Sequence, residues 1–153
     1  NNTFMPNAAH LHLILNHFPI IGAAIVVLVL GYGVVINNDK IKQLGMFLIV
    51  LIGLITIFVF TSGNKAEGFI KGNEGVVEEN IEPHEEFAKI SMIAMEFTAV
   101  VSLIGLVLFR KNKPVPVWYG LVLLVLLLVV NYMMIYTGHL GGKISHSNIM
   151  TNF

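Results

Sequence analysis

The first long apolar stretch of the chain, residues 18–36, reads FPIIGAAIVVLVLGYGVVI and contains no charged residue. A helix that crosses a membrane needs roughly 20 mostly apolar residues. The stretch has that length and that composition. It therefore predicts a membrane-spanning helix, which we place at about residues 11–36.

Three further stretches of the same kind follow, at about residues 41–61, 87–109 and 117–137. A long acidic connector, residues 62–86, separates the second from the third. The other two connectors are short, so the spans on either side of each are expected to form antiparallel hairpins. The sequence predicts an all-α fold, a polytopic four-transmembrane-helix bundle that forms a single membrane domain over residues 1–153.

The composition agrees with a membrane protein. The chain is 56% hydrophobic and 12% charged, whereas a soluble domain is about 25% charged. Such a chain lacks the polar surface that a soluble globule needs. In a lipid bilayer the apolar side chains can face lipid, so no polar surface is needed there. The net charge is zero, which gives no reason to expect a nucleic-acid partner. The absence of cysteine excludes disulfides, iron–sulfur clusters, covalently attached haem and thiolate chemistry.

Positive charge in short connectors sets the orientation of a membrane protein. The two short connectors together have more Lys and Arg than the longer segments on the other side. The five at the short connectors are Lys40, Lys42, Arg110, Lys111 and Lys113, and the three on the other side are Lys65, Lys71 and Lys143. We therefore expect both termini and the acidic connector to face outward.

All six histidines fall on this outward side: His10, His12, His17, His84, His139 and His146. Imidazoles from different helices of a bundle are a standard way to hold a metal ion or a haem iron. Three glycines around His139, at Gly138, Gly141 and Gly142, are expected to mark the end of the last helix and to let a planar group approach the main chain. These features favour a b-type haem, and leave open a non-haem metal held by His and Glu, or no cofactor at all.

Polar residues also lie inside the predicted spans. Glu96 is about nine residues, or about 13 Å, inside the outer end of the third span. An ionisable group there costs about 2.5–3.5 kcal/mol and is a functional candidate by default. Thr56, Asn131 and Tyr132 fall in the same outer half, where the four could contact one another, a cofactor edge or a quinol. The alternative is a neutral Glu96 that joins two helices by bonding Asn131.

Four blocks of the chain together resemble a known family. Residues 12–20, HLILNHFPI, resemble its HPxLVHFPI opening, and residues 61–67, TSGNKAE, its TGxxAE segment. HEE at 84–86 and GHLGGKISH at 138–146 are similar to its HEE and GHLGGxIxH blocks. The family consists of small bacterial four-helix membrane proteins regarded as b-type haem cytochromes, often adjacent or fused to c-type cytochromes. The resemblance covers nearly the whole chain and departs at Leu13, where the family has proline.

This resemblance implies that one or two haems b are ligated axially by His17, His84, His139 and His146, with His12 a weaker candidate. It implies a subunit of the bacterial inner membrane, with periplasmic termini, that passes electrons from a quinol pool to a c-type cytochrome or within a larger membrane complex. Such a chain is an electron-transfer subunit rather than a stand-alone enzyme. The alternatives are a cofactor-free anchor subunit of a respiratory or transport complex, and a non-haem metal protein.

Overall fold

The structure is a computed structural model that describes residues 15–70, 78–111 and 113–145. These residues form four α-helices and no strand. The helices are α1 (His17–Val35), α2 (Asp39–Ile70), α3 (Ile81–Leu108) and α4 (Val117–Ser145), and a short 3-10 helix, Glu78–Asn80, precedes α3. All four helices are long and apolar enough to cross a membrane. The predicted all-α class and the four spans are confirmed.

The helices form a bundle in which each packs mainly against two others. Both α1 and α3 pack against α2 and α4. The interior is apolar, with Leu30, Ile49, Met95 and Leu127 all excluded from solvent. The outward faces are apolar as well, because lipid rather than water covers them. Large apolar side chains on these faces include Leu28, Leu54, Phe58, Phe97 and Val125.

Three helices extend beyond the predicted spans on the side where the histidines lie. α2 continues to Ile70, α3 begins at Ile81, and α4 ends at Ser145. Much of the expected connector is therefore helical, because a helix does not have to stop where the lipid does. The expected helix end at residues 137–143 is wrong: α4 runs through all three glycines. Two of them permit close helix contacts, which are described below.

We call the two ends of the bundle the connector end (residues 36–38 and 109–116) and the histidine end (the end with His17, His84 and His139). At the connector end Lys42 is completely buried. Its Nζ lies 2.9 Å from Asn37 Oδ1, 2.8 Å from Asp39 Oδ1 and 2.5 Å from the carbonyl oxygen of Val115. The Val115 N–H in turn donates to Asp39 Oδ1 at 3.2 Å.

This lysine clamp ties the two short connectors to each other. The turn before it has Asn37 at a positive φ of 50°, a conformation that Asn tolerates better than most residues. Beside the clamp, Gln43 Nε2 donates to the carbonyl oxygen of Phe109 at 3.0 Å. From the sequence, Lys42 is expected only to contribute positive charge at the short connectors. The structure shows that it also holds the first hairpin to the second.

Candidate cofactor site at the histidine end

His84 is placed in the first turns of α3 and its imidazole is half-buried against α4. Its Nδ1 lies 3.0 Å from the carbonyl oxygen of Thr137. A carbonyl oxygen only accepts, so Nδ1 carries the hydrogen and donates it. Nε2 is then the nitrogen with the lone pair, and it has no hydrogen-bond partner among the described residues.

The ring of His84 lies over Gly141 of α4. A Cβ at Gly141 would be 3.1 Å from Cε1 and 3.4 Å from Nδ1 of His84. The first distance is shorter than most Cβ contacts, so a Cβ at position 141 would require the ring to shift by a few tenths of an ångström. The hydrogen bond to Thr137 and the bare backbone at Gly141 together fix the orientation of the imidazole.

Two hydroxyl groups support this contact deeper in the bundle, two turns from His84 on α3 and one turn from Gly141 on α4. Ser91 Oγ lies 2.9 Å from Thr137 Oγ1, and each hydroxyl also lies within hydrogen-bond distance of a carbonyl oxygen on its own helix, Phe87 for Ser91 and Met133 for Thr137. Each hydroxyl has a single hydrogen to donate. One hydroxyl donates to the other, and the second then donates to the carbonyl oxygen of its own helix. The pair joins α3 to α4 directly beneath the imidazole.

Further contacts continue the α3–α4 junction toward the end of the bundle. The rings of Phe87 and Tyr136 pack edge to face with centroids 4.8 Å apart. Asn80 Nδ2 donates to the carbonyl oxygen of Lys143 at 3.3 Å. His84 thus lies within a continuous seam between α3 and α4, and is not on a loose loop.

His17 and His139 lie elsewhere. His17 is exposed at the start of α1, and at 100° per residue it lies 180° around the helix from the buried Val26. His139 is exposed, with its ring 6.4 Å from that of Tyr136. It is two residues from Gly141, which puts it about 160° away from the face of α4 that His84 touches. The structure does not bring either one to His84.

The remaining predicted ligands, His12 and His146, lie outside the described residues, as does His10. Among the residues that the structure does describe, no three side chains of His, Asp or Glu come close enough to hold a metal ion.

The three glycines predicted to leave room for a planar group have different surroundings. Gly138 packs on α1, where its Cβ would lie 3.2 Å from Ile20 Cδ1. Gly141 packs on His84 of α3, and Gly142 has nothing within 4 Å. Two of the glycines therefore already serve helix packing, and Gly142 alone borders open space.

The four polar residues of the spans are also separated. Asn131 Nδ2 donates to the carbonyl oxygen of Ile20 on α1 at 3.0 Å, and Thr56 Oγ1 donates to the carbonyl oxygen of Ile52 within α2 at 2.8 Å. Tyr132 is 69% exposed on the outer surface. The predicted alternative in which Glu96 bonds Asn131 is therefore wrong.

In comparisons with known proteins, no family model, no curated protein and no solved structure matches the chain. The resemblance of its four sequence blocks to haem cytochromes stays a prediction.

Sequence reasoning did not identify Ser91 and Thr137 as part of this site. The spacing of these residues could have indicated that they lie near His84 and Gly141. Ser91 follows His84 by seven residues, and Thr137 precedes Gly141 by four. Residues at those separations share one face of a helix. No sequence pattern indicates that Ser91 and Thr137 meet across the two helices. The acceptor for His84 is a backbone carbonyl, which every residue possesses, so the sequence does not single it out.

Proposed function

We propose that this chain is a membrane electron-transfer subunit that binds haem b at the histidine end of the bundle, with His84 as an axial ligand. The observation that supports this most is the orientation of the His84 ring. Histidines that ligate a metal almost always donate their other ring N–H to a carbonyl or a carboxylate. His84 donates from Nδ1 to the Thr137 carbonyl oxygen, which leaves Nε2 for the iron.

The described residues fit one axial position. His17 and His139 lie on other faces of the bundle, so we assign the second ligand of the same iron to His10, His12 or His146. A bound haem would supply a centre that accepts and releases one electron at a time. The protein's part is to hold the imidazole: Thr137 fixes its tautomer, Gly141 its position, and the Ser91–Thr137 pair the spacing of the two helices.

We propose that the histidine end faces outward across a bacterial inner membrane, between a quinol pool and a c-type cytochrome or a larger membrane complex. The support is the charge at the connector end, where Lys40, Arg110, Lys111 and Lys113 are all exposed. Positive residues in short connectors favour the inner side. Lys42 adds little exposed charge, because it is buried and paired with Asp39.

The test is a visible spectrum of the protein purified from cells supplied with haem. We expect a Soret band, with resolved α and β bands after reduction by dithionite. His84→Ala should lose the haem or convert it to a high-spin form. Glu86→Gln is the control, because Glu86 is exposed two residues after His84 on the same helix, and it should retain the low-spin spectrum. Folded protein without Soret absorption would refute the proposal.

A cofactor-free anchor subunit is the second candidate function. The observation that favours it is the close packing around His84, where the Thr137 carbonyl and Gly141 already account for one nitrogen and one face of the ring. In that case His84→Ala would lower the stability of the α3–α4 pair and leave no spectroscopic trace. Elemental analysis of colourless protein would separate the anchor from a non-haem metal protein.

A further inference from the structure

Glu96 is the one ionisable acid or base within the apolar part of α3. It is fifteen residues after the first residue of α3 and twelve before the last, or about 22 Å and about 18 Å at the helical rise. The first residues of α3 are polar and lie beyond the predicted span, so Glu96 stays in the half of the apolar stretch nearer to the histidine end. No other Asp, Glu, Lys, Arg or His occurs in residues 18–35, 43–63, 90–108 or 117–138.

The Glu96 carboxyl lies against α2, on the side of α3 away from His84. A Cβ at Gly53 would be 3.3 Å from Oε2 and 3.5 Å from Oε1 of Glu96, and 2.8 Å from Ala99 Cβ. Gly53 thus forms a notch in α2 that the carboxyl fills. Oε1 is buried, and neither oxygen has a hydrogen bond among the described residues.

A structural role does not account for this carboxyl. A polar side chain that joins two membrane helices does so through a hydrogen bond between them, and Glu96 makes none. Thr56 and Asn131 are the polar residues that the sequence places at a similar depth to Glu96. They donate instead to the carbonyl oxygens of Ile52 and Ile20. Leucine at this position would avoid the insertion cost of an ionisable residue.

We propose that Glu96 is a proton-binding site inside the membrane-spanning part of α3, distinct from the haem site proposed above. The carboxylate takes up one proton to become the neutral acid and gives back one proton when it ionises. An unpaired carboxylate is costly in an apolar surrounding, so the neutral acid is the resting form. The side chain as a whole is not fully buried, which makes a membrane-soluble reagent the appropriate probe.

Among the described residues, Glu96 is the only acid, base or histidine in the apolar stretches of the four helices. Gly53 of α2 faces its carboxyl, and Ala99 of α3 packs on the same glycine. The middle stretches of α1 and α4 have no acid, base or histidine. Binding should therefore follow a single-proton titration.

The experiment uses dicyclohexylcarbodiimide, an apolar reagent that reacts with protonated carboxyls. The acid proton moves to a nitrogen of the carbodiimide while a carboxyl oxygen bonds to its central carbon. An oxygen-to-nitrogen shift of the acyl group then gives a stable acylurea that contains every atom of both reactants. In native membranes we expect Glu96 to be modified, as measured by peptide mass spectrometry. The yield should fall as the pH is raised, because only the protonated acid reacts with the carbodiimide.

Two variants and a second reagent serve as controls. Glu96→Gln should fold and show no modification at position 96, while Glu86→Gln, at an exposed carboxyl of the same helix, should leave the Glu96 yield unchanged. A water-soluble carbodiimide should modify exposed carboxyls in preference to Glu96. If Glu96 is not modified by the apolar reagent, or is modified equally at every pH, it does not exchange protons and the proposal is wrong. Neither outcome depends on the presence of haem.

Discussion

At the scale of single residues, Gly141 and Gly142 are neighbours in the chain with opposite surroundings. Gly141 lies under the imidazole of His84, whereas Gly142 has nothing within 4 Å. Both are inside a helix, where Gly is less favourable than Ala by about 1 kcal/mol. The same substitution therefore tests local packing at one position and helix propensity alone at the other.

We predict that Gly141→Ala is less favourable than Gly142→Ala by about 1–2 kcal/mol, because a Cβ at 141 requires the His84 ring to shift. Gly142→Ala should be neutral or stabilise by up to about 1 kcal/mol. The free energy of unfolding, followed by circular dichroism during titration with SDS in mixed micelles, measures both. Equal effects of the two substitutions would contradict the contact between Gly141 and His84.

Lys42 gives the second prediction at this scale. Lys42→Met removes the ammonium and leaves the oxygens of Asn37 and Val115 without their donor. We expect a loss of about 1–3 kcal/mol, since a buried acceptor that loses its donor pays the desolvation cost of that group, whereas Asp39 is partly exposed and can be solvated. Lys40→Met is the matched control, because Lys40 is exposed, and it should change stability by less than about 0.5 kcal/mol. A small effect at Lys42 in the same SDS titration would show that the clamp contributes little.

The candidate residues were predictable from sequence to different degrees. His84 and Glu96 stand out because ionisable side chains are rare in this chain. Their surroundings were not predictable. The acceptor for His84 is a backbone carbonyl, and the notch beside Glu96 exists because Gly53 has no side chain. Neither feature can be recognised from the sequence, because every residue has a carbonyl and the chain has 14 glycines.

At the scale of helices, the number and order of the four elements were predictable, because a membrane span must be continuously apolar over its full length. Their outer ends were not. α2 passes Thr61 and reaches Ile70, and α3 begins at Ile81 instead of Phe87. Beyond the lipid, polar side chains are solvated by water whether the backbone is a helix or a loop. Hydropathy therefore does not show where a helix ends.

The junction between α3 and α4 supplies a prediction for this scale. Ser91→Ala, Thr137→Val and the double variant form a thermodynamic cycle for the hydroxyl pair. We expect a coupling energy of about 0.6 kcal/mol, the average for hydrogen bonds between membrane helices. It should be small because each hydroxyl also has a carbonyl of its own helix as a partner. A coupling of zero would mean that the two hydroxyls do not interact in the membrane.

At the scale of the whole molecule, the bundle has two different ends joined by apolar walls. The exposed basic residues of the connectors lie at one end, and His17, His84 and His139 lie at the other. The sequence predicted this separation, because alternating spans place residues at either end by simple counting. It did not predict which histidines face the interior, since that depends on the rotation of each helix within the bundle.

The proposed orientation can be measured with single cysteines, because the chain has none of its own. Glu79→Cys at the histidine end should react with an impermeant maleimide in cells with a permeabilised outer membrane. Lys113→Cys at the connector end should react only after the inner membrane is opened. Both native residues are exposed, so access is decided by the membrane alone. The reverse pattern would invert the proposed orientation.

The lysine clamp also has a consequence for how the molecule is made. Lys42 belongs to the first hairpin, and the carbonyl that completes its surroundings belongs to Val115, just before the last helix. Until the second hairpin is in place, the ammonium lacks the Val115 carbonyl and is satisfied by Asn37, Asp39 and water. The last contact forms when the second hairpin arrives, which gives assembly a defined final step. If the two hairpins were made as separate chains, this same contact would help them to find each other.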